Sequence, residues 1–167
     1  MYRTLPEPAE PVRVLFLCTG NSARSQIGEA LLRTRGGWRF VVASAGTRPA
    51  PAVHPLVLEA LRDAGIQWDG HPPTHVDAIA GDGWDLIITV CDGALEACPM
   101  LPGAAQAHWS LPDPAAVQGD DRERRRAFRD TVAALERRVG GLVRLAARGL
   151  DRDALVRAAR DMEHAAG

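Results

Sequence analysis

The sequence has no lysine, a single tyrosine and only three cysteines, Cys18, Cys91 and Cys98. The missing lysine looks like a coding habit, because arginine carries the cationic charge instead. Three cysteines are an odd number, too few for a disulfide framework, so the chain is expected in a reducing compartment. A charge excess of one sign is also missing: the formal net charge is −1, which argues against a nucleic-acid partner. No stretch approaches the roughly 20 apolar residues that cross a membrane. Met1 to Pro11 carries Arg3, Glu7, Glu10 and three prolines but no apolar core of a secretion signal. These absences point to a cytoplasmic protein without membrane contact. They divide the chain into a flexible N-terminal extension, 1–11, and a single domain, 12–167.

What is present is a regular alternation of strands and helices. Val12-Arg-Val-Leu-Phe-Leu17 reads as a buried parallel strand ending at Cys18. Ile27, Ala30 and Leu31 recur at helical spacing up to Gly36-Gly37. Arg39–Ala43 is a second strand, closed by Ser44-Ala-Gly46, and Leu56–Ala64 a helix with Val57, Leu58 and Leu61 on one face. Trp84–Val90 is the clearest strand, and Ala107–Leu111 is a fourth. From Asp120 onward, Phe128, Val132, Leu135, Val139, Leu142 and Leu145 form one apolar stripe, which Gly140-Gly141 is positioned to bend. A last helix follows Asp151, a good N-cap. This order specifies an α/β fold, a three-layer α/β/α sandwich on a four-stranded parallel sheet.

The segment Cys18-Thr-Gly-Asn-Ser-Ala-Arg24-Ser25 lies between the first strand and its helix. Backbone N–H groups of such a loop point inward toward a tetrahedral anion. Gly20 suits a tight turn, and Arg24 offers a planar fork of donors to two oxygens. The same field favours a Cys18 thiolate near neutral pH. Ser25 is expected to N-cap the helix and to donate toward the sulfur. Thr19, Gly20, Asn21, Ser22, Ala23 and Ser25 thus line the anion, with Cys18 as nucleophile.

Val-Leu-Phe-Leu-Cys-Thr-Gly-Asn-Ser-Ala-Arg-Ser-Gln resembles the low-molecular-weight tyrosine phosphatase superfamily and, within it, the arsenate reductases on that fold. Phosphatases of the family usually follow Arg-Ser with proline, where this chain has Gln26. The resemblance runs from about Val12 to Val139 and implies a low-molecular-weight phosphatase-like sandwich.

Cys91 and Cys98 are separated by six residues, the wrong spacing for zinc. Cys91 follows a strand on the same sheet edge as Cys18, where open α/β sheets build their sites. A thiol there could reach an adduct on Cys18, and Cys98 could then act by exchange. The reductases carry Cys-x6-Cys-Pro at this place, so the resemblance implies a relay. Cys18 attacks arsenate, Cys91 attacks Cys18 and releases arsenite, and Cys98 attacks Cys91. Thioredoxin then reduces the Cys91–Cys98 disulfide; mycothiol- or glutathione-linked donors are the alternatives. Seven helical residues would span about 10.5 Å, whereas a disulfide needs Cα atoms within roughly 7 Å. A helical 91–98 segment must therefore unwind on oxidation.

Asp113-Pro114 reads as a turn starter or as a general acid. The family's acid stands in such a pair, which favours Asp113, although Pro112 replaces the first of two aspartates common in the reductases. Ala23 stands where some relatives have a cysteine that the relay does not use. No tightly bound cofactor is expected. Some reductases of this kind bind potassium beside the loop, and the matching residues are Asn21, Glu29, Ser44 and Asp77. His71 and His75 are expected at the surface, kept apart by Pro72-Pro73, and the four tryptophans in the core. The main reading is arsenate reduction, with phosphate or sulfate as substrate analogues. A phosphotyrosine phosphatase and an anion-binding or redox-sensing module without turnover are the alternatives.

Overall fold

A computed structural model describes residues 10–99 and 101–164 of the chain. The expected extension, 1–11, lies almost wholly outside the described residues. Four parallel strands, β1 (Val12–Cys18), β2 (Phe40–Gly46), β3 (Leu86–Thr89) and β4 (Ala105–His108), form one sheet in the order β2-β1-β3-β4. Their partners are parallel throughout, as crossover connections through helices allow. β1 is central and, apart from Arg13, buried along its whole length, which needs cover on both sheet faces. Among the described residues the helices are α1 (Arg24–Gly36), α2 (Pro55–Asp63), α3 (Asp92–Ala97), α4 (Asp121–Ala147) and α5 (Arg152–Asp161), and α1 and α3 lie against β1. Helices α1, α2 and α4 pack on one another, and α5 lies against β4.

The core runs from Val14, Phe16 and Leu17 through Ile27 and Leu31 to Phe128, Leu135 and Leu142. α4 runs unbroken through Gly140-Gly141, because its apolar stripe stays in register with the core. Asp151 caps α5 by accepting from the Ala154 N–H at 2.9 Å.

Two differences from the sequence reading have physical causes. The fourth strand lies at 105–108, earlier than 107–111. Trp109 and Leu111 still bond to Thr89 O and Val90 O, so an apolar loop continues the ladder's alternation and looks like strand in one dimension. Trp38 is 60% exposed, contrary to its expected place in the core, and Arg39 stacks over its ring. Trp84 and Trp109 are buried. Among the described residues, no helix is long and apolar enough to cross a membrane.

The strand order places the topological switch between β1 and β3, which run on from the centre to neighbours on opposite sides. β1 ends on Cys18, and β3 is followed after Val90 by Cys91. Both cysteines therefore lie at the carboxyl ends of neighbouring strands, where open α/β sheets build their sites.

Candidate active site

The loop from Cys18 to Ala23 is shaped by its one left-handed residue. That residue is Asn21, with φ 51°, and not Gly20. Asparagine tolerates this region better than most side chains, and here its amide is fully committed. Nδ2 donates to Ser25 Oγ at 2.8 Å and to Ser44 Oγ at 2.9 Å, while Oδ1 accepts from Thr74 N at 2.9 Å. Beside it, Gly46 at the end of β2 allows close approach: a Cβ there would stand 2.5 Å from Thr19 O. The loop carbonyls of Thr19, Gly20 and Ser22 receive Arg48, Ala50 and His54 N–H groups. With these carbonyls tied to the segment after β2, the loop is held in one conformation, the arrangement in which successive backbone N–H groups can face an anion.

Cys18 is almost fully buried. Its Sγ accepts from Asn21 N at 3.2 Å and lies 2.8 Å from Ser25 Oγ. Burial pushes the Cys18 thiol up, ahead of the Ser25 and Asn21 hydrogen bonds that pull it down. The sequence reading put a thiolate at neutral pH from the loop's donors alone, and the desolvation was invisible to it. Ser25 meets the sulfur but does not cap α1. The N-cap position is Ala23, which has no side chain to offer. Arg24 Nη1 donates to Leu111 O at 2.9 Å, tying the anion loop to the segment that carries Asp113. Asp113 is exposed and caps the 3-10 turn Pro114–Ala116 by accepting from Ala115 N at 2.9 Å.

Behind the loop lies a buried polar cluster with His71 at its centre. Glu29, on α1, is 2% exposed. Its Oε1 accepts from Ser44 Oγ at 2.9 Å and from His71 Nε2 at 3.0 Å, and Oε2 lies 3.3 Å from Arg33. His71 Nδ1 faces Pro72 O at 2.8 Å. A carbonyl and a carboxylate both demand a donor, so both ring nitrogens carry protons. The Glu29 hydrogen bond accordingly raises the His71 pKa, against the effect of burial. His71 is thus no free surface residue. His75 is exposed, as expected of it.

This cluster does not fit the potassium set suggested by resemblance. Asn21, Glu29 and Ser44 do converge, but Asp77 is exposed and turned to His75 at 3.5 Å. The remaining oxygens are met by N–H and O–H donors, and His71 Nε2 supplies the positive charge beside Glu29.

Gln26 is wholly buried in the same region. Its Nε2 donates to Asn21 O at 3.0 Å and His71 O at 2.8 Å, and its Oε1 accepts from Trp68 Nε1 at 3.3 Å. Proline at this position could make none of these bonds.

Cys91 faces the loop from the turn between β3 and α3. Its Sγ lies 3.4 Å from Thr19 Oγ1 and accepts from Ala94 N at 3.3 Å, so it caps α3. Cys98 closes the other end of α3, half-buried, with Gln106 Nε2 3.2 Å from its sulfur. Burial pushes the Cys98 thiol up. All three cysteines are free thiols.

The site can bind a tetrahedral anion, attack it through sulfur and present a second thiol to the result. The model of the low molecular weight phosphotyrosine protein phosphatase family matches residues 13–155. The chain belongs to that family. A curated arsenate reductase of Bacillus subtilis is 35% identical over 112 residues, 66% of this chain and 80% of that protein. The solved structure of an arsenate reductase from Archaeoglobus fulgidus is 33% identical, covering 78% of this chain and 98% of its own, with a TM-score of 0.60. A thioredoxin-dependent arsenate reductase of Corynebacterium glutamicum is 34% identical, covering 84% of this chain and 66% of its own, with a TM-score of 0.60. This low-molecular-weight phosphatase-family chain therefore shares its fold with proteins named as arsenate reductases.

Sequence reasoning missed Gln106, the Glu29–His71 pair and Asp92, whose Oδ1 lies 2.9 Å from His108 Nε2 and accepts from Ser110 Oγ at 3.1 Å. The buried pair had no signal in one dimension, because α1 is covered nearly all round from Ser25 to Leu32 and shows no clean polar face. Asp92 had one available clue, its place directly after Cys91.

Proposed function

We propose that this protein reduces arsenate to arsenite by a three-cysteine relay. The observation that carries the reading is Cys91, a second buried thiol 3.4 Å from the anion loop's Thr19, with Cys98 one short helix away. A hydrolytic phosphatase needs only Cys18, Arg24 and an acid.

Cys18 sulfur displaces one oxygen of arsenate bound to the loop N–H groups and to Arg24. A thiol facing a dianion and a thiolate facing a monoanion hold the same number of protons. A Cys18 thiol with a raised pKa can thus pass its proton to a substrate oxygen. Asp113 supplies the second proton, and the oxygen leaves as water. Cys91 sulfur then attacks Cys18 sulfur. The S–As bond breaks with its electron pair going to arsenic, which leaves as arsenite. Cys98 displaces Cys18 from Cys91 and regenerates the nucleophile. The Cys91–Cys98 disulfide is returned to two thiols by a dithiol donor of the thioredoxin class.

Mass spectrometry after one arsenate turnover without reductant tests the scheme. The expected product is one Cys91–Cys98 disulfide per arsenite released, with turnover abolished in Cys91→Ser. Full steady-state turnover in Cys91→Ser and Cys98→Ser would refute the relay. Rapid aryl phosphate hydrolysis without arsenate turnover would make the chain a phosphatase.

A further inference from the structure

Two residues of β4 hold the two ends of α3. Gln106 and His108 are two apart, so their side chains share one face of the strand. Gln106 Nε2 reaches Cys98 Sγ at 3.2 Å, and His108 Nε2 reaches Asp92 Oδ1 at 2.9 Å. Asp92 is the first residue of α3 and adjoins Cys91; Cys98 is its C-cap.

The two tethers differ in kind. Asp92 Oδ1 also accepts from Ser110 Oγ at 3.1 Å, and His108 is fixed from behind by buried Thr89, whose Oγ1 lies 2.7 Å from Nδ1. With Thr89 Oγ1 on Nδ1 and Asp92 Oδ1 on Nε2, both ring nitrogens are engaged, so the ring is oriented before it meets Asp92. Bonds to an ionised acceptor are the stronger class. The hydrogen bonds from His108 and Ser110 hold the Asp92 carboxyl below its ordinary range. At the other end, Cys98 has one neutral amide donor to sulfur and a long contact to Pro99 O at 3.6 Å.

We infer that Asp92, clamped by His108 and Ser110, is a positioning residue that keeps Cys91 in place over the anion loop, while the Gln106–Cys98 bond is the tether that releases when α3 unwinds. The inference rests on the relay proposed above. The direction of movement follows from the asymmetry. The N-terminal end of α3 stays docked, still facing Cys18, and Cys98 travels to Cys91. The roughly 10.5 Å spanned by seven helical residues must shrink to about 7 Å. Loss of one weak tether at the C-terminal end suffices for that.

The Asp92 clamp is thus present in both the dithiol and the disulfide protein, and the Gln106 tether only in the dithiol form. Equilibration of purified protein with dithiothreitol and its cyclic disulfide, read by mass spectrometry, separates the two. In this exchange the two protein thiols are oxidised to the Cys91–Cys98 disulfide, and the cyclic disulfide is reduced to dithiothreitol. Gln106→Ala removes a bond found only in the dithiol form. It should shift the equilibrium about fivefold toward the disulfide, or about 20 mV. Asp92→Ala should leave this equilibrium within about twofold of the wild type. It should slow arsenite release in a single turnover about tenfold, because Cys91 is no longer aligned. Asp92→Asn keeps an acceptor for His108 and Ser110 and should restore most of that rate.

If Asp92→Ala moves the equilibrium as far as Gln106→Ala, the docked end has been assigned wrongly. Unchanged arsenite release in Asp92→Ala, or no rescue by asparagine, likewise overturns the clamp. A wild-type protein that forms no Cys91–Cys98 disulfide would overturn the relay and this inference with it. Equal equilibria and rates in all variants would overturn the tethers alone.

Discussion

A methyl group at Gly46 would stand 2.5 Å from Thr19 O and 3.0 Å from Asn21 N. Both atoms are backbone, so no rotamer change relieves the contact. Ordinary Cβ contacts begin near 3.4 Å, so β2 and the anion loop must part by about 0.9 Å in Gly46→Ala. The loop is bonded to the end of β2 through Thr47 N to Cys18 O at 3.1 Å, and Cys18 pairs with Gly46 in the sheet register. The displacement therefore falls on the loop N–H groups and on Cys18, which in the proposed relay bind the anion and attack it. A misplacement near 1 Å costs on the order of 100-fold in rate, and overpacking of this kind costs about 1–3 kcal/mol of stability. The assay is kcat/KM for arsenate with inhibition by phosphate, alongside urea unfolding. The comparison variant is Gly28→Ala, whose Cβ would stand 2.5 Å from the Phe16 ring. That clash lies between a helix and a side chain, so stability should fall with only a few-fold loss of rate. Turnover of Gly46→Ala within threefold of wild type would refute the reasoning, as would equal loss in Gly28→Ala.

Two further outcomes follow from the ionisable groups. Alkylation of Cys18 by iodoacetamide should rise with pH to a midpoint above the ordinary thiol value, since burial raises it. Ser25→Ala should move that midpoint higher by removing a donor at 2.8 Å, and a midpoint below neutrality in the wild type would contradict this. For His71 the folded pKa is raised above the value near 6.5 of the unfolded chain. Its contribution is thus complete below about pH 6.5 and lost as pH rises through the raised folded value. Urea midpoints of wild type and His71→Gln should differ most near pH 6 and converge in alkali. A difference constant across that range would rule out the charged Glu29–His71 pair.

Strand β1, the anion loop and the helix after it were legible because their signals are local. An apolar run broken only by Arg13, a cysteine and an arginine six residues on, then helical spacing all lie within residues 12–36. The Cys91–Cys98 spacing and the Asp113-Pro114 pair are local patterns of the same kind. β4 was misplaced because Trp109 and Leu111 are buried from a loop that keeps bonding to β3, and burial, not strand geometry, sets the hydrophobic pattern.

The sequence by itself determined the alternation of elements, and hence which residues end the strands. With parallel crossovers of one hand, that is enough to bring Cys18 and the Cys91 segment to one edge. Only the tertiary structure decided the charges and the tethers. Whether Cys18 is thiol or thiolate depends on how completely neighbours exclude water, which no spacing rule carries. Glu29 and His71, 42 residues apart, become partners only when β2 brings Ser44 between them. Asp92 gains its clamp only because β4 lies beside β3 and presents His108 to α3. Desolvation and long-range hydrogen bonds are properties of packing, so these features became readable only with the chain folded.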